Sequence, residues 1–126
     1  GGFQRAGFYE DAYDERTLEM IRAFESQGKW IASVCVGALP IAKSGVLNGK
    51  RATTYHLEGG RWQEKLKTMG PEVERDLRIV EDGRIITSSC PSTAVEVAFR
   101  LLSHLTTEEN ANLVRREMGY SESAVF

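Results

Sequence analysis

A chain of 126 residues, 41% hydrophobic and 27% charged, has the balance of one soluble globular domain. Its 16 Lys and Arg against 18 Asp and Glu are spread without blocks, which leaves no basic face for a phosphate backbone or anionic lipid. No apolar run nears the roughly 20 residues that cross a bilayer, and no charged start leads into a signal-type stretch. Nucleic acid and membrane are therefore excluded as expected partners, and a cytoplasmic location is expected. Cys35 and Cys90 are too few for a disulfide framework and lack zinc-type spacing; a free thiol is favoured, with a single bridge left open.

The chain opens on Gly1-Gly2-Phe3, with no initiator methionine and no strand ahead of the first loop, which suggests that upstream strands are missing. Asp14 can cap a helix that carries Leu18, Met20, Ile21 and Phe24 and stops at Gly28. Trp30 to Val34 is a short apolar run suited to a parallel strand buried on both faces, and it ends at Cys35. Helical spacing follows from Val36 to Lys43, with Pro40 in an early turn and Gly45 placed for a left-handed cap.

Asn48-Gly49 marks a turn, residues 51–55 can form a short strand, and Trp62, Leu66 and Met69 share a helix face that ends at Gly70-Pro71. Glu81-Asp82-Gly83-Arg84 between two β-rich runs predicts an antiparallel hairpin. Thr93 and Glu96 have the spacing of a capping box for a helix carrying Val95, Val97, Ala98, Leu101, Leu102 and Leu105. Thr107 can cap a last helix with Ala111, Val114 and Met118 on one side. Alternating helices and strands imply an α/β sheet, although about two parallel strands plus a hairpin fall short of the five or six usual in such sheets.

Ser33-Val34-Cys35-Val36-Gly37 sets a nucleophile-capable residue between a buried strand and a helix, with small residues two positions before and two after. That is the pattern of a nucleophile elbow, in which strand and helix backbones approach closely around the reactive atom. The sulfur would then project at the carboxyl end of the sheet, where open α/β folds keep their sites. Free N–H groups and the positive end of the following helix would favour thiolate, so a lowered pKa is expected for Cys35. The plain alternative is a buried cysteine serving as a small apolar residue.

The block from Ser33 to Ala38, followed by residues 42–54, resembles the signature of the ThiJ/PfpI superfamily. The resemblance continues through residues 80–88 and Pro91-Ser92-Thr93, and runs from Gly1 to about Tyr120. It implies a flavodoxin-like three-layer α/β sandwich with a mainly parallel sheet. Residues 1–126 would be the C-terminal portion of that domain, its N-terminal strands absent from this chain. The resemblance further implies an oxyanion site made by the N–H groups of Gly2 and Val36, with Cys35 as nucleophile. The glutamate that family members hold against the sulfur would lie before Gly1. A homodimer is the expected assembly.

Branches of the superfamily differ in ways that bear on function. The protease branch places a histidine directly after the cysteine, where Val36 stands here; the isocyanide hydratase branch has a small residue there and a Thr-Thr block ending in histidine. Thr53-Thr54 is followed by Tyr55, and His56 comes one place later, out of step unless the strand has already ended. If His56 reaches the site it can relay a proton or orient a polar substrate. The His-x-Glu pair of glutamine amidotransferases is absent at Cys90-Pro91-Ser92. Cys90 reads as structural before pocket-lining or resolving, and His104 as packing or surface.

No dinucleotide fingerprint, P-loop or metal-spaced carboxylate cluster occurs, so no cofactor and no metal are expected. Two functions stay open. In one, the Cys35 thiolate attacks a small-molecule electrophile and water completes hydration or hydrolysis. In the other, Cys35 is the oxidisable thiol of a redox-sensing or chaperone-like binding protein.

Overall fold

A computed structural model of the chain describes residues 4–121. Helices α1 (Phe8–Ala12) and α2 (Glu15–Ser26) lead into β1 (Ile31–Ala32), and a 3-10 turn at Cys35–Gly37 opens α3 (Ala38–Lys43). Then come β2 (Arg51–Ala52), α4 (Arg61–Lys67), β3 (Glu72–Val73), the hairpin β4 (Ile79–Asp82) and β5 (Ile85–Ser88), and the helices α5 (Ala94–Leu105) and α6 (Glu108–Glu117).

Asp14 caps α2 as its sequence position predicts, its carboxylate accepting the Arg16 N–H at 3.0 Å. Lys43 ends α3, and Gly45 then adopts a φ of 95°, the left-handed conformation that lets a helix stop without a Cβ clash. The Asp-Gly turn closes the expected hairpin, with Val80 opposite Thr87 and Asp82 opposite Ile85. β1 joins the other side of β5 in parallel, Ile31 opposite Ile85 and Ala32 opposite Ile86, so the sheet order is β1-β5-β4. All four residues of the central strand β5 are buried.

Three expectations need correction. Residues 51–55 form a strand only at Arg51–Ala52, which pairs in parallel with β3. Side chains take over beyond it: the Thr53 N–H donates to Thr87 Oγ1 at 2.9 Å, and Thr54 turns its hydroxyl to a backbone carbonyl. Secondly, the capping box at the start of α5 does not form. Thr93 Oγ1 donates back to the Cys90 carbonyl at 2.7 Å, and Glu96 pairs with Arg115 of α6 at 2.8 Å. Thirdly, Val95 and Leu105 are exposed, and α5 buries Val97 and Phe99 instead.

The main core is built under α3, where Ala38, Leu39, Ile41 and Ala42 pack with Leu47, Ala52, Leu66 and Ile85. Complete burial of Leu39, Leu47 and Leu66 stabilises the fold by about 2 kcal/mol each, relative to exposure. That core anchors α3 from below and so fixes the direction in which Cys35 leaves the sheet. His104 packs flat on Trp30, with ring centroids 3.9 Å apart, and its Nε2 pairs with the Glu81 carboxylate, joining α5 to β4. Among the described residues no helix is long and apolar enough to cross a membrane.

Candidate active site

Val34 is the last extended residue after β1, and Cys35 then takes a φ of 59°, left-handed for a residue with a side chain. Such a conformation costs about 1–3 kcal/mol and persists only where the surroundings enforce it. Thr54, fully buried, supplies part of that constraint by donating its hydroxyl to the Cys35 carbonyl at 2.8 Å. Gly37 supplies the room, since a Cβ there would lie 3.2 Å from the Ser33 Cβ. The small residues on either side of Cys35 thus serve the close approach that their spacing predicts.

The half-buried Cys35 opens into a cavity of about 1440 Å³. Val36 and His56 line the same cavity, so three of the four expected site residues share one space. Gly2, the fourth, lies outside the described residues. His56 can face the cavity despite its one-residue offset because strand β2 has ended at Ala52, which removes the alternation of faces. Its Nδ1 is buried without a hydrogen-bond partner among the described residues.

One wall of the cavity is aromatic. Tyr9 stacks on Trp62 with centroids 5.5 Å apart and planes 26° from parallel. Trp62 is held by its own Nε1, which donates to Glu58 at 3.0 Å, and by the Arg61 guanidinium 4.5 Å above its ring. Glu58 also accepts from Arg61 Nε at 2.7 Å, and these bonds hold its carboxyl below the usual range. Glu58 has a φ of 58°, so among the described residues both non-glycine positions with positive φ border this cavity. Burial first, then the neighbouring Tyr13, pushes the Tyr9 phenol up to about 12, which keeps it a neutral donor at any ordinary pH.

The electrostatics of Cys35 run against the lowered pKa expected from sequence. Burial pushes the Cys35 thiol up; the Val36 N–H opposes this, Cys90 adds to it, and the thiol ends above its ordinary value. The turn does aim an N–H at the sulfur as foreseen, but one N–H does not offset the removal of water. Cys90 goes the other way. Burial raises it, but the Ser92 and Ser89 hydroxyls and the Arg78 charge outweigh burial and hold it below its ordinary value.

Sequence reasoning missed Tyr9, Trp62, Glu58 and Arg78 as members of this site. Tyr9 sits on a five-residue helix, and Arg78 lies just ahead of β4; neither belongs to a local pattern that would mark it. No cluster of three or more potential metal ligands occurs among the described residues.

The model of the DJ-1/PfpI family matches residues 1–104. Isonitrile hydratase of Pseudomonas putida is 33% identical over 113 residues, covering 90% of this chain and 47% of that protein. Protein dj-1beta of Drosophila melanogaster is 31% identical over 104 residues, covering 78% of this chain and 50% of that one. This chain therefore spans about half the length of these curated relatives. The crystal structure of Drosophila melanogaster DJ-1beta superposes with a TM-score of 0.81 at 27% identity, over 96% of this chain and 61% of that one. A ThiJ/PfpI family protein from Pseudomonas syringae shares the fold with a TM-score of 0.73 at 24% identity.

Proposed function

The chain belongs to the DJ-1/PfpI family, and from its cavity we propose that it is a cysteine-dependent hydratase or hydrolase of small electrophilic molecules, with Cys35 as nucleophile. The observation that carries this reading is the left-handed Cys35, held by Thr54 and lining a largely apolar, aromatic-walled cavity. Its backbone strain is maintained where a reactive atom must stand clear of both strand and helix. The relative named isonitrile hydratase supports the choice of a small polarised carbon as substrate.

In this reaction the Cys35 sulfur bonds to the electrophilic carbon while its proton passes to a base, and the Val36 N–H stabilises the charge that develops. The base passes that proton to the attacked carbon, giving a thioimidate. Water then adds across its C=N bond with one hydrogen going to nitrogen, and the C–S bond breaks as the new hydroxyl gives its proton to sulfur, releasing the formamide and the thiol. A thiol raised by burial suits this scheme if a base takes its proton at the moment of attack. His56 Nδ1, unpartnered beside the same cavity, is the base we assign. The alternative of a standing Cys35 thiolate that senses oxidants draws less support, because burial disfavours that thiolate.

Turnover of an alkyl isocyanide to its formamide by the full-length protein tests the reading. Activity lost in Cys35→Ala and lowered in His56→Gln is expected. Equal turnover in wild type and Cys35→Ala would end it.

A further inference from the structure

Cys90 is 7% exposed and lines the same cavity as Cys35. The two leave neighbouring parallel strands at the same end: the Ser33 N–H donates to the Ile86 carbonyl at 2.8 Å, and Ser88 Oγ donates to the Ser33 carbonyl at 3.0 Å. Each cysteine stands two residues beyond one member of that serine pair. Beyond those strand ends both thiols line the one cavity, and a disulfide between them requires Cα atoms within about 4.4–6.8 Å of each other.

The hydrogen bonds around Cys90 have a direction. Arg78 Nη2 donates to Ser92 Oγ at 2.8 Å, and guanidinium can only donate. Ser92 Oγ, having accepted from Arg78, is left with its own proton to give, and Cys90 Sγ lies 3.0 Å away. Ser89 Oγ donates to the same sulfur at 3.6 Å. Two hydroxyls aimed at one sulfur, one of them backed by a cation, form a cradle for a negative charge. An apolar structural cysteine would need none of these partners.

We propose that Cys90 and Cys35 form a redox-active dithiol, in which a hydroperoxide oxidises the Cys90 thiolate and Cys35 then closes a disulfide with it. In the first step the Cys90 sulfur attacks the terminal peroxide oxygen. The S–O bond forms, the O–O bond breaks, and the alkoxide or hydroxide leaves and takes up a proton; sulfur is oxidised by two electrons and the peroxide reduced by two. In the second step the Cys35 sulfur attacks the sulfenic sulfur of Cys90. The S–S bond forms, the S–O bond breaks, and hydroxide leaves as water with the Cys35 proton. Dithiol and hydroperoxide thus give disulfide, alcohol or water, and one water. The inference does not depend on carbon-electrophile turnover, since here Cys35 attacks sulfur.

The test is brief treatment of the reduced full-length protein with stoichiometric hydrogen peroxide, followed by alkylation, intact mass and peptide mapping without reductant. A loss of two hydrogens in a peptide pair joining Cys35 to Cys90 is expected. Cys35→Ser stops at a sulfenic acid on Cys90 that dimedone traps, and Cys90→Ser consumes peroxide at least about tenfold more slowly. Arg78→Gln, at an exposed position, slows the first step near neutral pH and approaches the wild-type rate at alkaline pH, where thiolate forms unaided. Oxygen gained at Cys35 while Cys90 stays reduced, or a wild-type peroxide rate in both Cys90→Ser and Arg78→Gln, would overturn the proposal.

Discussion

Thr54 donates its hydroxyl to the carbonyl of Cys35 at 2.8 Å, from a position 19 residues further along the chain. Thr54 is fully buried, so its hydroxyl has no water to turn to. Removing that hydroxyl takes a hydrogen bond from the Cys35 carbonyl beside a left-handed φ of 59°. Thr54→Val is therefore expected to destabilise the protein by about 1 kcal/mol, the net worth of a hydrogen bond. Thr54→Ser, which keeps the hydroxyl, retains most of the stability. Denaturant midpoints for the two variants check this, with Cys35 alkylation rates reporting whether the sulfur keeps its position.

The opposite shifts of the two thiols predict different pH profiles. A thiol raised above its ordinary value holds less thiolate at a given pH, so Cys35 alkylation should rise with a midpoint above that of a free thiol, about 8.5. Cys90, held below its ordinary value despite burial, should reach its plateau at lower pH. Isotope-coded alkylation followed by peptide mapping resolves the two curves, and a Cys35 midpoint below that of Cys90 would contradict the assignment.

Tyr9 offers an independent probe of the same cavity. Its phenol is pushed up to about 12, chiefly by burial. Because the shift is upward, Tyr9 stays protonated through the range in which an exposed tyrosine ionises, near 10. An alkaline ultraviolet titration should show a late step that Tyr9→Phe removes, provided the protein remains folded there.

Trp62 is expected to contribute to substrate binding more than to bond making, since it is a wall of the cavity stacked on Tyr9. Trp62→Ala should raise KM several-fold with a smaller effect on kcat. Glu58→Gln weakens the hold on both Trp62 Nε1 and Arg61 and should move KM in the same direction by less. Steady-state kinetics with an aryl and a small alkyl isocyanide separates the contribution, the aryl substrate losing more.

Away from the cavity, Arg115 is 7% exposed and pairs with Glu96 at 2.8 Å, its guanidinium 4.3 Å from the centre of the Phe99 ring. Glu96→Ala leaves a buried cation without its partner and should cost about 3 kcal/mol. Replacing both residues by apolar ones of similar volume should recover much of that loss. Thermal unfolding of the two single variants and the double variant gives the coupling directly.

What the sequence made legible was local. The elbow could be read because it is made by consecutive residues: an apolar strand, a thiol, and small neighbours on both sides. The turn at Asp82-Gly83 and the cap at Asp14 were legible for the same reason. The rest depends on contacts between distant segments. Thr93 reads as one half of a capping box, but Glu96 is drawn to Arg115, 19 residues away, and Thr93 turns to the Cys90 carbonyl. Cys90 reads as structural before pocket-lining or resolving because Arg78, which polarises Ser92 beside it, lies outside any motif that contains it. Likewise the lowered pKa expected of Cys35 followed from the turn alone, whereas the buried environment that raises it is made by residues brought together only in the fold.

Whether Cys35 is the nucleophile is decided by turnover of an isocyanide by wild-type protein and by folded Cys35→Ala, followed as formamide produced. Formamide formed by the wild type and lost in Cys35→Ala is the predicted result. Formamide produced at the same rate by both proteins would contradict it.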